Sequence, residues 1–121
     1  MNIYAHNIMD HYKAPRNKGV ISDADAHHHE LNRSCGDDIT VSIKLDGDII
    51  SDIKFIGSGC AISQAGISIL SEKLLGKNKQ DILKYDFEYI KKIFGVPISD
   101  RRSKCALIGL LAIQNAILKT L

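Results

Sequence analysis

The chain has 121 residues, 45% of them hydrophobic and 25% charged, with a formal net charge of +2. That length fits one domain over residues 1–121 with a modest core, and the composition is that of a folded globule rather than a disordered segment. The near-neutral charge gives no basic footprint for nucleic acid, no apolar run is long enough for a membrane span, and an odd, low cysteine count behind a start that does not read as a signal peptide points to a reducing cytoplasmic setting.

In chain order, residues Ile3 to His11 read as a short helix, with Tyr4, Ile8 and His11/Tyr12 at helical spacing and Pro15 ending it. Arg16 to Gly19 is a loop. His27 to Arg33 alternates weakly and reads as an edge strand. Ile39, Val41, Ile43 and Leu45 alternate with Thr40, Ser42 and Lys44, the pattern of a half-buried strand. Asp46-Gly47 is a hairpin turn signal, and Ile49 to Ile56 is the returning strand, with Ile53 and Phe55 turned inward.

The second half is helical. Ala61 to Leu75 carries Ile62, Ala65, Ile69 and Leu70 on one side and stops at Gly76. A short helix follows from Gln80 to Tyr85, and another from Phe87 to Phe94 closes at Gly95. After Pro97, Ser99 or Asp100 is placed to cap a last helix running to Leu118. That helix is apolar on most sides, which predicts a central buried element. Strands first and helices after predict an α+β domain: an N-terminal helix, a three-stranded antiparallel sheet and a C-terminal helical half packed on it.

The three cysteines sit in unlike surroundings: Ser34-Cys35-Gly36-Asp37, Gly57-Ser58-Gly59-Cys60-Ala61-Ile62-Ser63 and Arg102-Ser103-Lys104-Cys105. Strand direction brings Cys60 back to the end of the hairpin where Cys35 and Asp37 lie. Cys105, early in the last helix, joins them only through tertiary packing. Cys60 opens a helix after a glycine turn, where backbone N–H groups and the helix dipole favour a thiolate. Arg102 and Lys104 would do the same for Cys105. Three sulfurs and a carboxylate suit Zn²⁺ or Fe²⁺ or an iron–sulfur cluster. The plainer alternatives are cysteines used as small buried apolar groups and an Asp37 that merely closes a turn. His27, His28 and His29 read as an exposed polar strand, because successive strand residues point to opposite faces. The Gly57–Gly59 turn lacks the lysine of a phosphate loop.

The run from Ile8 to Val20 (Ile-Met-Asp-His-Tyr-Lys-Ala-Pro-Arg-Asn-Lys-Gly-Val), with Cys35-Gly36-Asp37, Gly59-Cys60-Ala61-Ile62-Ser63 and Lys104-Cys105, resembles the IscU/SufU/NifU N-terminal family of iron–sulfur cluster assembly proteins, in order and over nearly the whole chain. The resemblance implies a scaffold that accepts sulfur from a PLP-dependent cysteine desulfurase, with Cys35, Asp37, Cys60 and Cys105 as ligands of Zn²⁺ or Fe²⁺. It also implies a transient [2Fe–2S] cluster on the three cysteines and apo iron–sulfur proteins as acceptors. Cys105 would take the persulfide in the scaffold reading and Cys35 in a zinc-dependent sulfurtransferase reading that never holds a cluster. Arg102 matches a SufU-branch arginine suited to electrostatic support of the sulfur. Lys104 stands where the IscU branch has a histidine, and Val96-Pro97-Ile98 is not that branch's chaperone-recognition segment. The stretch from Cys60 to Cys105 is too short for the insertion common in the SufU branch. The expected state is a monomer or weak homo-oligomer.

Overall fold

The alternation of apolar residues along two neighbouring runs sets the frame of the domain. The computed structural model describes residues 3–121, and their side chains from His6 onward. Strands β1 (Ala26–Asn32), β2 (Asp37–Asp46) and β3 (Ile49–Ser58) form an antiparallel sheet in that order. Its period of two puts Ile39, Val41 and Ile43 of β2 beside Ile53 and Phe55 of β3, all buried on one face. On that same face β1 turns inward Ala26, His28, Glu30 and Asn32, so its contribution is mostly polar. The register sets Asn32 directly opposite Asp37 and Glu30 opposite Ile39.

The helices cover this face. Helix α1 spans Ile3–Lys13, α2 Ala61–Lys73, α3 Lys79–Ile82, α4 Phe87–Phe94 and α5 Ser103–Leu118. Helix α5 packs on β1, β2 and α2 and is buried along most of its length, as its composition predicts. Asn115 of α5 donates to Glu30 Oε1 at 2.8 Å, which gives the polar inner side of β1 a partner. Helix α4 begins with the Asp86 carboxylate accepting from the Glu88 N–H and ends on Gly95 in the left-handed region.

The elements agree with the sequence reading to within a few residues, with two corrections, in α2 and at the start of α5. Tyr4, part of the α1 spacing, lies outside the described side chains. Helix α2 is buried on more than one side: Ser63, Ser68 and Ser71 are buried along with Ala65, Ile67, Ile69 and Leu70, while Ile62 is only half-buried. A helix sandwiched between α1 and α5 has no wide solvent face, so a one-sided apolar stripe understates its burial. Neither Ser99 nor Asp100 caps α5 with its side chain. A 3-10 turn over Asp100–Arg102 intervenes, and the Ser103 hydroxyl donates to the Asp100 carbonyl at 2.8 Å.

Candidate metal centre

One end of the sheet gathers the reactive residues. Cys35 lies in the connection between β1 and β2, where its N–H donates to the Asn32 carbonyl at 3.3 Å. Gly36 follows at φ +71, a conformation open to glycine at little cost, and lets Asp37 start β2 pointing inward. Cys60 is the N-cap residue of α2, at the end of the returning strand. Cys105 is carried into the same end by α5, and its thiol donates to the Cys35 sulfur at 3.1 Å. The hairpin argument for Cys35, Asp37 and Cys60 therefore meets the tertiary placement of Cys105.

A ligand atom from each of Cys35, Asp37 and Cys105 lies within 4.8 Å of the others. Ligand atoms around one tetrahedral zinc with Zn–S bonds near 2.3 Å are about 3.8 Å apart, so the three fit one ion with small adjustments. Their mix of thiols and a carboxylate matches Zn²⁺ or Fe²⁺ chemistry. The Cys60 sulfur is not one of this closest set. Its thiol is nevertheless near enough to Cys105 to act on that group's protonation.

Asp37 is only 1% exposed, yet both of its carboxylate oxygens are hydrogen-bonded. Oδ1 accepts from the Cys60 N–H and the Ser63 hydroxyl, each at 3.0 Å, and Oδ2 accepts from the Asn32 amide at 3.1 Å. Burial pushes its pKa up, but the hydrogen bonds from Cys60, Cys105, Ser63 and Asn32 outweigh that and hold it below the ordinary carboxylate value. Asp37 thereby supplies, from another strand, the carboxylate that the N-terminus of α2 lacks in its own first turn. Gly59, at φ +153, makes this approach possible: a Cβ there would stand 2.4 Å from Asp37 Oδ1 and 2.7 Å from Ser63 Oγ.

The thiols differ sharply. Cys35 is exposed, Cys60 half-buried and Cys105 buried at 1% exposure. Burial first, then hydrogen bonds involving Cys35, Asp37 and Cys60, push the Cys105 thiol well above the ordinary range. This corrects the expectation that Arg102 and Lys104 favour a Cys105 thiolate. Both cations are exposed, and neither forms an ion pair among the described residues, so solvent screens them while the sulfur faces inward. The three histidines of β1 do not converge: His28 pairs with Glu30 at 3.0 Å and His29 with Asp38 at 2.6 Å.

Two polar residues at the site went unnoticed in the sequence. Ser63, three residues after Cys60, falls one helical turn on and so faces the same carboxylate. Asn32 is an inward polar residue on a strand, opposite Asp37. An alternation count carried through β1 to Asn32 would have flagged it. Beside Asn32 an apolar groove of about 240 Å³ runs between β1 and α5, lined by Leu31, Leu107, Ile108 and Leu111 with Lys104 near the site. Leu111 is 43% exposed here, so the last helix is not buried on its groove side.

The family model for the NifU-like N-terminal domain matches residues 3–120. The zinc-dependent sulfurtransferase SufU of Bacillus subtilis is 36% identical over 134 aligned positions, covering 97% of this chain and 90% of that protein. That alignment is longer than the 121 residues of the chain, so SufU carries residues that this chain lacks. An iron–sulfur cluster assembly scaffold protein IscU of Archaeoglobus fulgidus is 33% identical over 115 residues, covering 95% of this chain and 74% of that one. Among solved structures, a candidate iron–sulfur cluster assembly scaffold for the SUF system from Fervidobacterium islandicum superposes with a TM-score of 0.80 at 32% identity, covering 97% of this chain and 96% of that one. No helix among the described residues is long and apolar enough to cross a membrane.

Proposed function

The chain belongs to the NifU-like N-terminal domain family, and on that premise we propose that it is an iron–sulfur cluster assembly scaffold that accepts sulfur from a PLP-dependent cysteine desulfurase. The observation that carries this reading is the mutual approach of Cys35, Asp37 and Cys105, with the Cys60 backbone tied to the same carboxylate. Cys35, Asp37, Cys60 and Cys105 are the proposed ligands, Cys60 joining by a turn of its sulfur from the N-cap position. A bound Zn²⁺ or Fe²⁺ would keep the thiols deprotonated at neutral pH. Iron and the assembled [2Fe–2S] cluster are cargo for apo acceptor proteins.

The exposure of Cys35 supports it as the sulfur acceptor, because a donor persulfide has to reach the receiving sulfur. In that step the Cys35 thiolate attacks the outer sulfur of the donor's S–S bond. That bond breaks, the donor cysteine leaves as a thiolate and Cys35 carries the persulfide, with no net oxidation. Cys105, buried and hard to deprotonate without a metal, is better suited to holding cargo than to making the first attack. The similarity to a zinc-dependent sulfurtransferase favours a second reading on the same residues, in which transfer through Cys35 is the whole function and no cluster forms.

Anaerobic incubation with ferrous iron, cysteine, a thiol reductant and a desulfurase tests the choice. The scaffold reading expects [2Fe–2S] visible absorbance, abolished by Cys105→Ser. Persulfide on Cys35, found by mass spectrometry of trapped peptides, with no cluster absorbance would leave the sulfurtransferase reading standing. Absence of both products with a competent desulfurase would remove the proposed function. In metal-free protein a thiol-alkylating reagent should modify Cys35 at least about 100-fold faster than Cys105, given the exposure of Cys35 and the burial and raised pKa of Cys105.

A further inference from the structure

A single residue outside the ligand set touches three of its four members. The Asn32 side-chain amide donates to Asp37 Oδ2 at 3.1 Å and to the Cys105 sulfur at 3.9 Å, and the Asn32 carbonyl accepts from the Cys35 N–H at 3.3 Å. An amide NH₂ has two hydrogens, so it serves the carboxylate and the sulfur at the same time. The three partners come from different parts of the fold: β2, α5 and the connection after β1. Strand register fixes Asn32 beside Asp37, and Cys105 is the ligand that no local geometry brings to this end of the sheet.

We infer that Asn32 is a positioning residue of the metal centre, holding the Asp37 carboxylate and the Cys105 sulfur at the separation a shared ion requires. The inference rests on the proposed metal binding by those two residues and adds to it what keeps the sheet's ligand and the helix's ligand in register with each other. Asparagine is a poor strand former, so sheet pairing alone gives no reason for it at this position. A donor aimed at a ligand limits its rotation, and removing such an outer partner weakens metal binding about 10–100-fold. Ser63 and the Cys60 N–H hold the other carboxylate oxygen, so Asp37 is fixed from both sides, while the Asn32 amide bridges that carboxylate and the Cys105 sulfur.

The test is competition of the metal-free protein with a chelating dye for Zn²⁺ and for Co²⁺, in Asn32→Ala, Asn32→Leu and Asn32→Thr. Leucine keeps the bulk of asparagine without a donor, whereas threonine suits a strand and keeps one donor. The alanine and leucine variants should bind both ions about tenfold more weakly. Their Co²⁺ forms should show a weaker thiolate-to-cobalt band per bound ion, because Cys105 is no longer held. Threonine should fall between them and the wild type. A leucine variant with wild-type affinity and spectrum would make the residue a space-filler and overturn the inference. Loss of the fold in all three variants, read by circular dichroism, would make Asn32 a folding residue and overturn it too. A wild type that takes up neither ion removes the metal reading and this inference with it. A wild type whose binding depends on Asp37 but not on Asn32 overturns the inference alone.

Discussion

Helix α2 buries serines at both ends, and the two ends use them differently. At the N-terminal end Ser63 donates to the Asp37 carboxylate at 3.0 Å, beside three thiols. Further along, Ser68 Oγ lies 2.8 Å from His11 Nδ1 and accepts the Arg16 N–H at 2.8 Å, while Ser71 Oγ accepts from Asn17 at 3.0 Å. The second cluster ties α1 and the loop after it to α2, with every group named there engaged within the protein. The first surrounds a carboxylate that takes three N–H and O–H donors and has the Cys105 thiol as its fourth neighbour, so the position that thiol faces is the one an ion would take. One helix thus carries an anchoring polar cluster and a reactive one, and what separates them is whether an acceptor position faces the ligand thiols.

The sharpest way to break the reactive end is Gly59→Ala. The added Cβ would overlap Asp37 Oδ1 and Ser63 Oγ, at 2.4 and 2.7 Å, on a backbone at φ +153 that other residues resist. Overpacking and backbone strain together should cost about 3 kcal/mol, and Tm should fall by roughly 10 °C. Metal affinity should fall with it, because Asp37 must move. A thermal melt within a degree or two of wild type would mean that the carboxylate does not hold α2 as described.

A matched pair of smaller changes sharpens the contrast. Ser63→Ala removes one of the donors to a buried carboxylate, and Ser68→Ala leaves the Arg16 N–H and His11 Nδ1 without their partner. Each should cost about 1–2 kcal/mol in urea unfolding. Only Ser63→Ala should also weaken Zn²⁺ binding in dye competition, and Ser68→Ala should leave it alone. Equal effects on zinc would mean that the two ends of α2 are a single coupled network.

The legibility of the chain follows the same division. Strand alternation and the Asp46-Gly47 turn were enough to order the sheet and to bring Cys35, Asp37 and Cys60 to one end, because those relations depend on local periodicity alone. Cys105 came to the site in the sequence only through family resemblance, since its approach depends on how α5 crosses the sheet. The protonation of that thiol was misjudged because neighbours in sequence, Arg102 and Lys104, are exposed while its neighbours in space are a carboxyl and two thiols. The α1–α2 cluster was invisible as such: His11, Ser68 and Arg16 are scattered in sequence and meet only after α1 docks.

That docking gives the smallest expected effect, and one that separates the two clusters by pH. His11 is 5% exposed, with Nδ1 on Ser68 and Nε2 3.5 Å from Glu72. The neutral form protonated on Nε2 serves both: the Ser68 hydroxyl donates to Nδ1, and Nε2–H faces the Glu72 carboxylate. Burial first and the Arg16 charge second lower the His11 pKa, with Glu72 and Asp10 pulling the other way without reversing it. In the unfolded chain the ring takes up its proton near the ordinary value of 6.5, whereas the folded ring resists it. The unfolded state therefore binds more protons below that value, and stability falls as pH drops through it. Asp37 has the opposite sense of dependence on charge but acts lower: its lowered pKa contributes stability above its ordinary value of 3.8, which is lost on acidification through the folded value. Urea melts between about pH 7.5 and pH 5 should isolate the histidine from the carboxylate. His11→Gln should flatten the slope in that window, and Asp37→Asn should leave it unchanged. A slope that survives His11→Gln would assign the loss to other groups and detach the α1–α2 cluster from the pH dependence of folding.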